Sequence, residues 1–273
     1  MQFHLSNPEV REKRFELCNS KLDLVGKEIT HNLPKITNKN LSLPGLSSSM
    51  ASSLSDAGGN FTHPDKGNLT SDDVFVYPEL EEKFSEENII ISSDGLVAFE
   101  ESALKVLILG DDKSGKTFLL KRFFQDIHSH GRIPLYIDAH NLKSVSTNNL
   151  QKILGHLASE QYTSANDFLL AKKSSRVALL DDIDRCPGGG SNKYKLISFL
   201  EDNFESVIIT GSSSMEISEL IDKKVAESLN NYTTYEIRSF GHLMRHKLIK
   251  NGAYAEILIQ ILILIDKYMK QNH

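Results

Sequence analysis

The chain has 273 residues, 40% of them hydrophobic and 25% charged, which is ordinary globular composition with material for one full domain and more. A net charge of −5 and a pI near 6.1 imply no general affinity for nucleic acid or for an anionic membrane, and two isolated cysteines, Cys18 and Cys186, make neither a disulfide framework nor a zinc site. No basic-then-apolar leader opens the sequence, and its densest apolar run, Ile257 to Ile265, is broken by Gln260 and too short to span a bilayer, so a reducing, cytoplasmic setting is expected.

Residues 1–40 carry one weak helical stripe between Pro8 and Val25, made by Phe15, Leu17, Leu22 and Leu24. From Leu41 to Thr70, seven Ser, four Gly and two Pro fall in thirty residues and the large apolar groups follow no period. That composition predicts a flexible linker, so residues 1–70 are expected to be mostly disordered. A short β-like run is predicted at Asp73–Pro78, and an acidic turn of helix at Glu79–Phe84. Two further runs, Ile89–Ser92 and Leu96–Phe99, lead to the centre of the chain.

From there strand and helix patterns alternate, which predicts a parallel sheet with crossover helices. Val106–Leu109 is the first core strand. Its helix buries Leu119, Leu120, Phe123, Phe124 and Ile127, spaced three to four apart. Ile133–Asp138 is the second strand, followed by a stripe at Leu150, Ile153, Leu154 and Leu157. Val177–Leu180, Val207–Thr210 and Thr233–Ile237 complete a five-stranded sheet, with helices at Tyr194–Phe204 and Glu216–Leu229. Residues 71–240 are read as one domain, and 241–273 as a helical segment that is incomplete. Within that segment Ile257, Leu258, Ile261, Leu262 and Ile265 make one wide apolar face, which points to self-association or a partner protein.

Between the first strand and its helix lies Gly110-Asp111-Asp112-Lys113-Ser114-Gly115-Lys116-Thr117, with Phe118 opening the helix. A strand, a glycine-rich turn ending Gly-Lys-Thr and a helix together form a phosphate cradle. Gly110 lets the chain turn off the strand, and Gly115 lets backbone approach an anion with no Cβ in the way. Loop amides and the helix N-terminus then face the anion. Lys116 would reach the β- and γ-phosphates of a nucleotide and Thr117 would bind Mg²⁺. Asp111 and Asp112 are unusual in such a loop and are compatible with it only if their side chains face outward.

The third strand delivers Asp181-Asp182 to its C-terminal edge, where ligands of open α/β sheets bind. Asp181 is the expected Mg²⁺ ligand, and Asp182 the group that orients or polarises an attacking water. Thr210, at the end of the fourth strand, is a candidate to contact the γ-phosphate or that water. Arg185 reads as a surface charge or as a finger acting on a neighbouring copy. Asp138-Ala-His140 matches only the first metal motif of calcineurin-like phosphoesterases and is read as a polar strand-end turn.

These residues resemble the additional-strand branch of phosphate-loop ATPases, whose three-layer α/β fold has sheet order 5-1-4-3-2. Val76–Glu82, Leu107–Thr117, Ile133–Asp138 and Tyr235–His242 are similar to bacterial signal-transduction ATPases of the STAND class, relatives of the NACHT and apoptotic-ATPase modules. The resemblance covers about 71–250 and implies ATP and Mg²⁺ as ligands and slow hydrolysis as a signalling or defence switch. It also implies an effector before the ATPase and a sensor after it; neither is visible, and the chain looks like a truncated or split member. A non-catalytic nucleotide-binding module and an AAA-like ATPase that remodels a partner are the alternatives.

Overall fold

The computed structural model describes residues 43–59, 62–63, 67–97, 103–142, 145–214 and 223–239, all within one compact unit, Ser42–His273. The stripe at Pro8–Val25, the segment 241–273 with its apolar face, and Cys18 lie outside these residues. In chain order the elements are α1 (Ser48–Ser55), β1 (Thr62–His63), β2 (Gly67–Asn68), α2 (Ser71–Val74), β3 (Glu79–Glu82), β4 (Ile90–Ser92), β5 (Lys105–Gly110), α3 (Lys116–Ser129), β6 (Ile133–Asp138), α4 (Thr147–Gln161), α5 (Ala165–Leu170), β7 (Arg176–Asp181), α6 (Gly190–Asn203), β8 (Ser206–Ser212), α7 (Lys223–Leu229) and β9 (Thr233–Ile237).

The runs Val106–Ile108, Val177–Leu180 and Val207–Ile209 are buried throughout, as strands covered on both faces must be. They form the centre of a seven-stranded sheet ordered β4-β3-β9-β5-β8-β7-β6. The pairings β9-β5-β8-β7-β6 are all parallel. Ranked along the chain, those five strands stand in the order 5-1-4-3-2, and the fold is the three-layer α/β class of the phosphate-loop NTPases.

The strand count differs from the expected five because β3 and β4 add an antiparallel edge to β9. Glu79–Phe84 is therefore a strand in its first four residues, not a turn of helix. Leu80 alone decides this: it is fully buried and pairs with both Ile91 and Ile237. Its acidic neighbours are matched by cations, Arg238 lying 3.5 Å from Glu79 and 3.6 Å from Glu81. Asp73–Pro78 is corrected too. Thr70 and Asp73 form a capping box that opens α2, and the chain is extended only after it.

The linker expected over Leu41–Thr70 is ordered wherever the structure describes it. Residues 43–59 form a strap around α1, which buries Met50 and Leu54, one helical turn apart. Ser47 caps α1 by accepting from Met50 N at 3.1 Å, and its own N–H donates to Gln161 O at 3.0 Å. Thr163 N donates to Gly45 O at 2.8 Å, and Lys121 Nζ donates to Ser53 O at 3.1 Å. The Lys121 side chain of α3 and backbone at and just after the end of α4 hold what a Ser-rich composition alone would leave free.

Two features have no forerunner in the sequence reading. Helix α5 inserts Phe168 against Tyr162, ring centroids 5.7 Å apart. Gln161 covers the outer edge of β6: its Oε1 accepts from Tyr136 N at 2.9 Å and its Nε2 donates to Tyr136 O at 2.7 Å. One side-chain amide thereby stands in for a further strand.

Candidate functional site

The centre of the site is the turn from β5 into α3. A Cβ on Gly110 would stand 2.5 Å from Ser114 Oγ, so any side chain there would have to push the Ser114 hydroxyl aside. Ser114 N donates to Asp111 O at 3.1 Å, and Gly115, at φ +95°, sets the first residue of the helix. Asp111, Asp112 and Lys113 are exposed. Asp112 lines the adjoining cleft, its carboxylate 3.6 Å from the Arg185 guanidinium, and Asp111 does not.

Lys116 is buried to 7% exposure, and its ammonium donates to Gly110 O at 2.8 Å and Asp111 O at 3.0 Å. The positive charge is thus held against the loop that opens the helix. One residue on, Thr117 Oγ1 donates to Asp181 Oδ2 at 2.6 Å, joining the loop to the end of β7 across 64 residues of sequence.

Asp181 is 2% exposed and accepts two more hydroxyls, Tyr136 on Oδ2 at 2.8 Å and Thr210 on Oδ1 at 2.6 Å. Thr210 also accepts from Asp182 N at 3.0 Å. It is fully buried, so it holds the two acids in place and does not reach the cleft, which corrects its expected contact with phosphate or water.

Asp182 takes φ 51°, ψ 57°, a left-handed conformation for a residue with a Cβ. That costs about 1–2 kcal/mol, which the bonds on either side sustain, and such strain gathers at functional sites. Its carboxyl is pushed above the usual range, first by burial, then by the Asp181 charge, with Lys116 opposing. Asp184 Oδ1 accepts from Ser212 N at 3.0 Å and pins the end of β8 beside this turn. Arg185 lies between Asp182 Oδ2 at 3.5 Å and Asp112 Oδ1 at 3.6 Å, half-exposed at the mouth.

A cleft of about 430 Å³ lies over this arrangement. Asp112, Lys113, Gly115 to Phe118, Asp182 and Arg185 line one side, and Lys121 with Asp56–Gly58 of the strap line the other. Of the residues singled out in the sequence, Gly110, Asp111, Ser114, Asp181 and Thr210 support the cleft from below or beside it. Tyr136, Asp184 and the strap were not singled out. Tyr136 left a faint signal, a phenol in a strand that is otherwise apolar up to its terminal Asp138. The strap left Met50 and Leu54 four apart. Asp138 is a turn residue: it accepts from His140 N at 2.9 Å and Asn141 Nδ2 at 2.6 Å.

The donor set fits a small divalent cation. The Thr117 proton goes to Asp181, which leaves the hydroxyl lone pairs for a metal, and Asp182 adds a carboxylate in the cleft. Among the described residues no cluster of three or more His, Cys, Asp or Glu forms a metal cage of its own. A cation here would complete its shell with water and phosphate oxygens, as Mg²⁺ does.

With the geometry in view, comparison with known proteins places the sequence. The family described as AAA domain matches residues 103–240, half of the chain. The chain belongs to the AAA domain family. The match begins just before β5 and ends just after β9, so it takes in the loop, both acids and the whole parallel sheet. Among curated proteins the sequence finds no match. Solved structures similar to the AAA domain include the Aeropyrum pernix ORC1 protein in complex with DNA, at 15% identity and TM-score 0.40 over 58% of this chain and 46% of that one. AMPPCP-bound DnaA from Aquifex aeolicus is similar at 18% identity and TM-score 0.40, over 62% and 54%. The chain thus spans about half the length of these neighbours. No helix among the described residues is long and apolar enough to cross a membrane.

Proposed function

We propose that this AAA domain binds ATP with Mg²⁺ in the cleft over Gly110–Phe118 and hydrolyses it slowly, as a regulatory switch. The observation that carries the reading is the 2.6 Å hydrogen bond between Thr117 and Asp181. It joins the phosphate loop to the acidic strand end, and nothing in a merely structural βα turn calls for that pairing.

The residue roles follow from position. Lys116 leaves its two carbonyls to meet the β- and γ-phosphates, a charge-assisted contact. The N-terminus of α3 adds its dipole. Thr117 and Asp181 would hold Mg²⁺, which supplies charge neutralisation at the phosphates. Asp182 faces the cleft with a raised pKa and accepts a proton from the attacking water. Arg185, released from Asp112 and Asp182, is placed to meet charge developing at the terminal phosphate. Phe118, Lys121 and the strap at Asp56–Gly58 form the wall on which base and ribose rest.

The family match supports a second reading, in which turnover remodels a partner protein or drives self-assembly. The test of the first is direct. The purified protein should retain or bind ATP, identified by chromatography of the released nucleotide, and should turn it over slowly on its own. Absence of turnover with intact binding would leave a non-catalytic nucleotide module.

A further inference from the structure

We infer that Tyr136 is a positioning residue of the metal centre: its phenol, with Thr117 and Thr210, fixes the Asp181 carboxylate in the orientation that receives Mg²⁺. The inference rests on the nucleotide·Mg²⁺ reading of the cleft. No sequence motif marks the residue.

Strands β6 and β7 are parallel neighbours with Tyr136 opposite Leu179 and Asp138 opposite Asp181. The tyrosine therefore stands two residues before the position facing Asp181. An aromatic side chain can cover that diagonal, and the phenol does so, donating to Oδ2 at 2.8 Å. A carboxylate offers about four lone-pair sites. Thr117 and Tyr136 take the two on Oδ2 and Thr210 takes one on Oδ1. Three hydroxyls from three different elements leave the group no free rotation and one lone-pair site on Oδ1 unused.

The tyrosine is itself held. Gln161 grips its backbone at both N and O, so the ring is carried on a clamped edge strand. A group that holds a metal ligand through a hydrogen bond typically governs metal affinity about 10-fold or more.

A second tyrosine provides the control. Tyr162 donates its hydroxyl to Pro134 O on the same strand and is 2% exposed, but the carbonyl it meets belongs to the backbone and not to the acid centre. Loss of that hydroxyl tests β6 alone.

The experiment titrates Mn²⁺ into the full chain with a non-hydrolysable ATP analogue and follows free Mn²⁺ by electron paramagnetic resonance. Tyr136→Phe should raise the half-saturating Mn²⁺ concentration about 10-fold, while nucleotide affinity in EDTA stays as in the parent and reports an intact fold. Tyr162→Phe should leave the Mn²⁺ profile in place. Gln161→Leu, which frees the strand edge but keeps the phenol, should give a smaller rise, and it decides the matter if Tyr136→Phe does not fold. A parental Mn²⁺ profile in Tyr136→Phe, or in Gln161→Leu where that variant decides, overturns the inference. If the parent itself takes up no Mn²⁺ with the nucleotide, the reading of the cleft falls first and the inference with it.

Discussion

Thr117 donates its hydroxyl to Asp181 at 2.6 Å, and so couples the first residues of α3 to the end of β7. The bond puts a donor from the loop on a carboxylate that is otherwise buried, where an unmade bond costs about 1–3 kcal/mol. Thr117→Ala should therefore lower both stability and Mg²⁺-dependent nucleotide affinity, whereas Thr117→Ser keeps the hydroxyl and should restore the affinity. Isothermal titration with and without Mg²⁺ separates the two variants.

The adjacent acids should behave differently because their surroundings differ. Asp181 is enclosed by three hydroxyls and Asp182 faces the cleft. Asp181→Asn should weaken Mg²⁺-dependent binding. Asp182→Asn should keep ATP·Mg²⁺ and lower turnover by about 10²–10⁴-fold, the usual range for loss of a general base. Affinity and turnover measured for each would contradict the assignment if the two variants matched.

Hydrolysis should show an acid limb above the ordinary aspartate range near 3.9, because the carboxyl of Asp182 is raised. Activity needs the ionised form, so it is lost as pH falls through that raised value. The charge of Asp184 adds to the upward shift and that of Arg185 opposes it. Asp184→Asn, which keeps an acceptor for Ser212, should move the limb to lower pH. Arg185→Gln should move it to higher pH. Movement of both limbs in the same direction would remove Asp182 as the titrating group.

The strap is predicted to serve both stability and binding. Leu54 is 3% exposed, and Leu54→Ala should cost about 2–5 kcal/mol. Since α1 runs directly into Asp56–Gly58 at the cleft wall, nucleotide affinity should fall as well. Thermal unfolding and fluorescent-nucleotide titration of this variant, each with the parent alongside, check the pair. Lost stability with unaltered affinity would mean that the strap does not touch the nucleotide.

What was legible in the sequence was what local pattern determines. The apolar strand at Val106, the two glycines around Ser114 and the three-to-four spacing from Leu119 to Ile127 place the loop without any tertiary information. The order of the five parallel strands came with the resemblance. What was hidden depends on distant partners. Glu79–Glu82 reads as helix until Leu80 finds Ile91 and Ile237. Ser47–Ser55 reads as linker until Ser47 donates to the carbonyls of Glu160 and Gln161 on another helix. Thr210 reads as a cleft residue because its strand ends there, yet its hydroxyl is consumed by Asp181 and Asp182.

The account stands on Lys116, whose buried ammonium waits on two carbonyls at the mouth of the loop. Titration of the parent and of Lys116→Ala with a fluorescent ATP analogue in Mg²⁺ tests it most directly. Loss of a charge-assisted contact of about 1.5–3 kcal/mol should weaken binding by roughly 10–100-fold or more, with the fold intact by circular dichroism. Equal affinity in the two proteins would contradict the nucleotide site itself.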